Sequence, residues 1–434
     1  MTLRLVHTSD WHLGHSLHDR SRAAEHDAFL SWLLDVLAER RADALLIAGD
    51  VFDVANPSAE AQRQWYGFLS RARARLPQLD IVVIAGNHDS AVRLEAPEEL
   101  LRSMNVRLVG RLPRTEERAV DAAEVWCPLR DARGNIAAWC AAVPFLRPSD
   151  LPRVETDEQV RDDLVEGVRR VYQDVLNHAD PRMQPQHARL AMGHCYMSSK
   201  QLAQLSERKI LGGNQHALPA DIFPEGLAYV ALGHLHLAQT VGGREGVRYA
   251  GSPIPLSVGE VGYPHQVVLV ELEGAALASV TPLSVPRTVQ ILRVPAEGPG
   301  ELDAVLAELA ALPTRGMGEG AAKLGPLFVG PTGPPPYLEV RVRLAQPELG
   351  LRRRVVEAVA DKHVDLVKLS VEYAGRGEGL VDALPERRLA DLDVEEVFAQ
   401  LHQSVHGSDP DDDLVACFRE LVDEVQQRVE EGSA

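Results

Sequence analysis

The chain has 434 residues, 45% of them apolar, with a formal net charge of −18 at pH 7. That length is too great for one ordinary core and predicts about two or three domains, and the composition is that of a globular protein. No apolar run is long enough to span a bilayer, and the opening MTLRLVHTSDWH has no signal-peptide pattern, so the expected location is the cytoplasm. RLVHTSD (4–10), ALLIAGD (44–50) and IVVIAGNHD (81–89) read as apolar strands that end in polar residues. Between them, Phe29, Trp32, Leu33, Val36 and Leu37 recur at helical spacing, as do Ala61, Trp65, Phe68, Leu69 and Ala72. Such strand–helix–strand units predict a parallel sheet covered on both faces, with its ligands beyond the carboxyl ends of the strands.

EVWCPL and NIAAWCAAVPF flank RDARG, a hairpin signal, and residues 159–178 read as a helix. ARLAMGH (188–194) and LAYVALGHLH (227–236) are again strands that run into Gly-His. GVRYAGSPI, HQVVLVELEG and ASVTPLSV continue as strands without intervening helices, so one large α/β domain is expected to about residue 280. Residues 287–375 read as a small βαβαβ-type module, with helices over 301–311 and 348–361 and a long Gly/Pro-rich loop between its halves. The tail, 381–434, holds fifteen Asp/Glu against four Arg, a charge of −11 that leaves only −7 for the other 380 residues. Its two expected amphipathic helices, of a sign that avoids phosphate backbones, suit a protein partner. The four cysteines (Cys127, Cys140, Cys195, Cys417) lack CxxC spacing and are expected to be reduced; the sequence leaves open whether Cys127 and Cys140 face each other across the hairpin, the one exception to that reading.

The polar residues at the five strand ends are the chemically informative set: Asp10 and His12, Asp50, Asn87 and His88, His194, and His234 with His236. Each pair alone has a bland explanation as a solvated loop or an ordinary turn. Five strand ends on one sheet edge, all supplying ligand types, have none. Carboxylate, amide and imidazole without thiolate suit manganese, iron, zinc or magnesium, and the set is large enough for two adjacent ions sharing a carboxylate. Alternation along a strand end would place Asp10 and His12 on one side, and His234 and His236 likewise. His7, His15, His18 and His26 fall off this pattern, and surface or core roles are expected for them.

The motifs DWH, GDVFD, GNHD, GH and GHLH resemble the five ordered motifs of the calcineurin-like metallophosphoesterases. The longer strings HTSDWHLG, AGDVFD, AGNHDS, ALGHLH and RYAGSPIPLS are similar to the SbcD family of bacterial nucleases, counterparts of the archaeal and eukaryotic double-strand-break repair nuclease. The resemblance extends over nearly the whole chain. It implies an α/β fold, a metallophosphoesterase β-sandwich flanked by helices over 1–280, a small α/β capping domain at 287–375 and C-terminal partner-docking helices at 381–434. It implies that Asp10, His12 and His236 hold one ion, that Asn87, His194 and His234 hold the second, and that Asp50 bridges both. The ions would be Mn2+, with Mg2+ as the alternative. His88 would act on the phosphate as general acid or as a stabiliser of transition-state charge.

The activity implied is metal-dependent 3′→5′ exonuclease and endonuclease cleavage of DNA at double-strand ends and hairpins, in repair, recombination and replication. The partner implied is an SbcC-type coiled-coil ATPase, since this chain carries no GxxxxGK[ST]. A homodimer within a heterotetramer is expected, with the helix at about 58–75 as a candidate interface, although a core-facing stripe explains the same residues. Asp53 stands where archaeal and eukaryotic relatives tend to have histidine, so the histidine's role does not transfer to it. The competing enzyme reading is a small-substrate or cyclic-nucleotide phosphodiesterase of the same superfamily, which leaves the extra module and tail unexplained. A non-catalytic scaffold is the competing reading outside enzymes, and the presence of every ligand and of His88 argues against it.

Overall fold

The computed structural model describes residues 2–116, 119–152, 160–178, 180–197, 217–315 and 333–373, and the single residues 402 and 414. The expected tail helices and most of the Gly/Pro-rich loop lie outside these residues. Two six-stranded sheets stack into a sandwich. The first is built from β1 (Thr2–Thr8), β2 (Ala44–Ala48), β3 (Asp80–Ile84) and β4 (Val106–Val109), all parallel, and from an antiparallel pair of later strands, Gln266–Glu273 and Ala276–Ser284, beside β1. The second is built from β5 (Trp126–Arg130), β6 (Ile136–Ala142), β7 (Ala188–His194) and β8 (Tyr229–Gly233), and from the strands Arg244–Tyr249 and Gln239–Val241.

ALLIA of β2 is buried at every position, as continuous apolar strands of a covered parallel sheet must be. One face of it (Ala44, Leu46, Ala48) joins the apolar layer between the sheets, with Val82, Leu190, Met192 and Ala231. The other face (Leu45, Ile47) meets helices α1 (Ala23–Glu39) and α2 (Ala59–Arg75), which bury Phe29, Leu33, Leu37, Trp65, Phe68 and Leu69 against the first sheet. Ser58 caps α2 by accepting the Ala61 N–H, with Glu60 in the first turn and Arg73 and Arg75 in the last, the charge order that the helix dipole favours. The second sheet is covered on its outer face by α3 (Val160–Asn177), whose Val171, Tyr172 and Val175 pack on Trp139 and Val230.

Cys127 and Cys140 are register partners of the β5–β6 hairpin, buried as free thiols in the layer between the sheets. Strand β4 and the short helices Ala91–Glu95 and Glu98–Ser103 add to the elements anticipated for the first 110 residues. Beyond residue 286, Ile291–Val294, Tyr337–Leu344, Gly300–Glu301 and Asp365–Tyr373 make a separate four-stranded sheet, with helices Leu302–Ala310 and Leu351–Val359. No helix among the described residues is long and apolar enough to cross a membrane.

Candidate metal centre

The site lies where strands of both sheets end, not on one edge of one sheet as the strand pattern predicts. Strands β1, β2 and β3 belong to the first sheet and β7 and β8 to the second, and the stacking of the sheets brings the five ends together. Strand β1 stops at Thr8, two residues before the first ligand candidate. Asp10 (φ 54°) and His12 (φ 48°) then take the left-handed conformation, which side-chain-bearing residues seldom adopt. Trp11 between them is fully buried, edge-on to Phe29, Trp65 and Phe68 at ring centroid distances of 5.5, 5.8 and 5.3 Å. Its indole N–H donates to Thr8 Oγ1 at 3.0 Å. The tryptophan is thus a plug that drives its two neighbours back toward the sheet edge. Strand alternation is therefore not what co-presents Asp10 and His12; the strand has already ended, and a core-anchored turn does it. The same correction holds for His234 and His236, because β8 ends at Gly233 and His234 has φ 104°. Asp50 (φ 51°) makes four strained residues at one site, a concentration that marks function over stability.

Backbone bonds lace the loops together: Asp10 N–H donates to Gly49 O at 3.0 Å, and His12 N–H to Asp50 O at 3.0 Å. Glycine makes the closest approaches possible. A Cβ on Gly86 would lie 2.1 Å from Asp50 Oδ1, and one on Gly233 would lie 1.8 Å from Ala48 O. Asp50 Oδ1 accepts the His88 N–H at 2.9 Å, while Oδ2 lies 3.5 Å from His12 Nε2 and 3.3 Å from His194 Nε2. Asn87 Oδ1 is 3.0 Å from both His194 Nε2 and His234 Nδ1. Asp10 Oδ1 accepts the His234 N–H at 3.0 Å, and Oδ2 accepts from Ser9 Oγ at 2.5 Å. Asp89, whose role the sequence leaves open, accepts three backbone N–H groups, from Gly86, Phe52 and Val51, at 2.9–3.1 Å. It binds the second strand-end loop to the third.

Each imidazole is oriented from behind. His194 Nδ1–H donates to Ala48 O at 2.8 Å, leaving Nε2 for the site. His236 Nδ1 meets buried Glu260 at 3.2 Å, and His12 Nδ1 meets Asp53 at 3.1 Å. These are the outer partners that metal-binding histidines require. His88 is exposed, in contrast to buried His12, His194 and His234, and its Nδ1–H donates to Asp53 O at 2.7 Å, which leaves Nε2 outside that bond.

These residues fit a divalent metal centre. His12 is only 3% exposed, and its Nε2 has no hydrogen-bond partner. Ligand atoms of Asp10, His12 and His236 lie within 4.8 Å of one another, as do those of Asp10, Asp50 and His194, and those of His12, Asp50 and His88. Burial works against charge on His194, but the Asp50 carboxylate outweighs it and pushes the imidazole up to about 9. Burial also opposes ionisation of Asp50, yet His194 and then His12 hold its carboxyl far below the usual range. In His234, burial and the neighbouring His194 push the imidazole down to about 3, so it is a neutral donor. Two carboxylates and a neutral His234 would face a divalent ion held here, and the proton that Asp50 keeps on His194 would be displaced to solvent.

All eight residues expected at the site are brought together. Asp53, for which orienting a neighbouring donor is one of the readings the sequence allows, takes that role at His12, and two further supports, Glu260 and His15, were not anticipated. Glu260 comes from a segment 24 residues beyond His236. Asp53 and His15 are joined at 3.1 Å, and His15 Nε2 reaches Leu256 O at 2.8 Å, so His15 is part of the support and not merely a surface or core residue. No local spacing signals such long-range partners. His7 and His26 are buried core histidines, bonded to the Tyr229 hydroxyl and to Trp11 O at 2.9 Å each, and His18 is exposed. The apolar stripe of α2 faces the core.

The calcineurin-like phosphoesterase family model matches residues 3–238, and a model described as the type 5 capsule protein repressor C-terminal domain matches residues 287–406. The chain belongs to the calcineurin-like phosphoesterase family and, within it, to the SbcD nuclease subunits. The SbcD subunit of the SbcCD nuclease of Rhodobacter capsulatus is 44% identical, over 73% of this chain and 78% of its own length. The protein of the same name from Escherichia coli is 31% identical over 91% of this chain and 92% of its own, and that from Bacillus subtilis is 34% identical over 62% and 66%.

Proposed function

We infer that this chain hydrolyses DNA phosphodiesters at double-strand ends and hairpins, 3′→5′ as an exonuclease and internally as an endonuclease, with two divalent ions. The observation that carries this reading is the convergence of Asp10, His12, Asp50, Asn87, His194, His234 and His236 from five strand ends. Asp10, His12 and His236 would hold one ion and Asn87, His194 and His234 the other. Asp50 would serve both, since its Oδ2 lies 3.5 Å from His12 and 3.3 Å from His194. The donor set accepts Mn2+ or Mg2+ without thiolate help, and Mn2+ is the ion assigned.

When bound, the ions supply positive charge at the phosphate and activate water near neutral pH. The chain supplies the rest. Asn87 contributes an oxygen without adding negative charge, so the centre stays attractive to a polyanion despite the acidity of the chain. The carboxylate of Asp50 is aimed by the His88 N–H at 2.9 Å. His88, its ring oriented by the Asp53 carbonyl beside His12 and Asp50, delivers a proton from Nε2 to the departing sugar oxygen, a task for which imidazole is suited. Residues 287–375 act as a capping domain over the site. Residues 381–434 dock an SbcC-type coiled-coil ATPase within a heterotetramer built on a homodimer of this chain. The two-component nuclease in the names of the relatives and the −11 charge of this tail support that assignment.

The test is cleavage of hairpin and blunt double-stranded DNA by the chain, with and without that ATPase, as Mn2+ is varied. Mn2+-dependent cleavage of both substrates, with ATP dependence only in the complex, is expected. Hydrolysis of small phosphodiesters alone, with DNA untouched in either form, would overturn it. Deletion of 381–434 should abolish ATPase binding and spare metal-dependent cleavage of simple substrates.

A further inference from the structure

The segment 255–262 touches the candidate metal centre on one side and the small C-terminal sheet on the other. On the inner side, Glu260 is 4% exposed and meets His236 Nδ1 at 3.2 Å. Its carboxylate is fixed within the segment by the Leu256 N–H at 2.8 Å and the Ser257 hydroxyl at 3.0 Å. Leu256 O meets His15 Nε2 at 2.8 Å, and His15 meets Asp53, which meets His12 Nδ1, each at 3.1 Å. Both imidazoles of the set Asp10, His12 and His236 therefore lean on this one segment. His194 and His234 do not: they rest on Ala48 O and Asn87.

On the outer side, Val258 packs with Leu17, Val289, Ile291 and Tyr337 in a separate apolar cluster. Arg293 donates to Val258 O at 2.6 Å and Arg287 to Val261 O at 3.0 Å. Arg22, 1% exposed, donates to Pro255 O at 2.7 Å and pairs with Glu25, which also accepts the Tyr337 hydroxyl at 3.1 Å. Arg293 of the small sheet and Arg287 just before it thus hold the middle and end of the strap, while Arg22, tied to Tyr337 of that sheet through Glu25, holds its start.

We propose that residues 255–262 form a positioning strap through which the small sheet sets the geometry of one metal site, with Glu260 the positioning residue for His236. This rests on the two-ion reading above. A carboxylate on Nδ1 fixes the ring and strengthens Nε2 as a donor, and loss of such a partner costs about 10–100-fold in metal affinity. The asymmetry of support makes the effect selective for one ion.

The experiment is calorimetric titration of the full metal-free chain with Mn2+, alongside cleavage assays. The wild type should take up two ions. Glu260→Ala should weaken one of them by about 10–100-fold and leave the other within about threefold. Glu260→Gln, which keeps a neutral acceptor, should lose less. Arg287→Ala with Arg293→Ala, which touches neither ion nor ligand, should weaken the same ion by a few-fold. At saturating Mn2+, cleavage by Arg287→Ala with Arg293→Ala should return close to wild type, and cleavage by Glu260→Ala should recover in part. Two unchanged ions in Glu260→Ala, or equal weakening of both, would overturn the proposal while leaving the two-ion reading intact. A wild type that binds no Mn2+ would remove that reading and this proposal together.

Discussion

Two polar clusters of this molecule, one built on imidazoles and carboxylates and the other on guanidiniums and carboxylates, differ in state. One is the strand-end centre. The other is a cleft of about 970 Å³ at the open side of the sandwich, lined by Arg102, Arg107, Arg111, Arg114, Glu95 and Glu124 among others. In the cleft each arginine has a partner: Arg102 has Glu98, Arg107 has Glu124, Arg111 has Glu95 at 2.9 Å, and Arg114 reaches Asp150 O. None of these residues has a left-handed backbone. In the strand-end centre, four residues are strained, a buried nitrogen lacks a partner and the His194 imidazole is pushed up to about 9 by a carboxylate 3.3 Å away. Polarity alone does not distinguish the two. The gathering of four left-handed residues in one place does, because folding alone would not retain such strain.

The contrast can be broken or sharpened by substitution. The largest effect is expected for His88→Ala, which should lower the cleavage rate by about 10²–10⁴-fold while Mn2+ and DNA binding persist. Near-normal turnover would remove His88 from the chemistry. Next comes Asp89→Ala, which strands three buried N–H groups. It should cost several kcal/mol, at about 1–3 kcal/mol per unsatisfied group, read by urea unfolding of the metal-free chain.

A smaller effect is expected with pH. Burial, with Arg248 near His7 and Arg22 near His26, pushes both imidazoles down to about 3. The unfolded chain protonates them near 6.5 and the folded chain does not, so their contribution is intact above pH 6.5 and is lost as pH falls. Each should cost about 2 kcal/mol at pH 5 relative to pH 7, and His26→Gln should shallow the slope. The smallest effect is expected in the cleft. Arg111→Ala breaks an exposed pair worth about 1 kcal/mol or less and should leave cleavage within about twofold. A large loss of cleavage there would end the contrast between the clusters.

Much of this was legible in the sequence, for identifiable reasons. Continuous apolar runs such as ALLIA and IVVI announce covered strands, and the polar residues after them announce the edge where ligands gather. That brought all eight site residues to one place. The local geometry was less legible. DWH and HLH have the spacing of alternating strand residues, yet both lie past the strand ends, where a buried Trp11 and the close approach at Gly233 shape the chain. The supporting residues were least legible. Glu260 and His15 act through single hydrogen bonds across tens to hundreds of residues, and no periodicity records such a bond. Strand β4 was missed because it is a four-residue edge strand with arginine in the middle.

The central claim is that Asp50 joins two ions in one centre. Electron paramagnetic resonance of the Mn2+-loaded chain tests it most directly. The account predicts a spin-coupled pair in the wild type, and in Asp50→Ala the loss of that coupling together with tight uptake of two ions. A wild-type spectrum of isolated Mn2+, or a coupled pair that survives in Asp50→Ala, would contradict it.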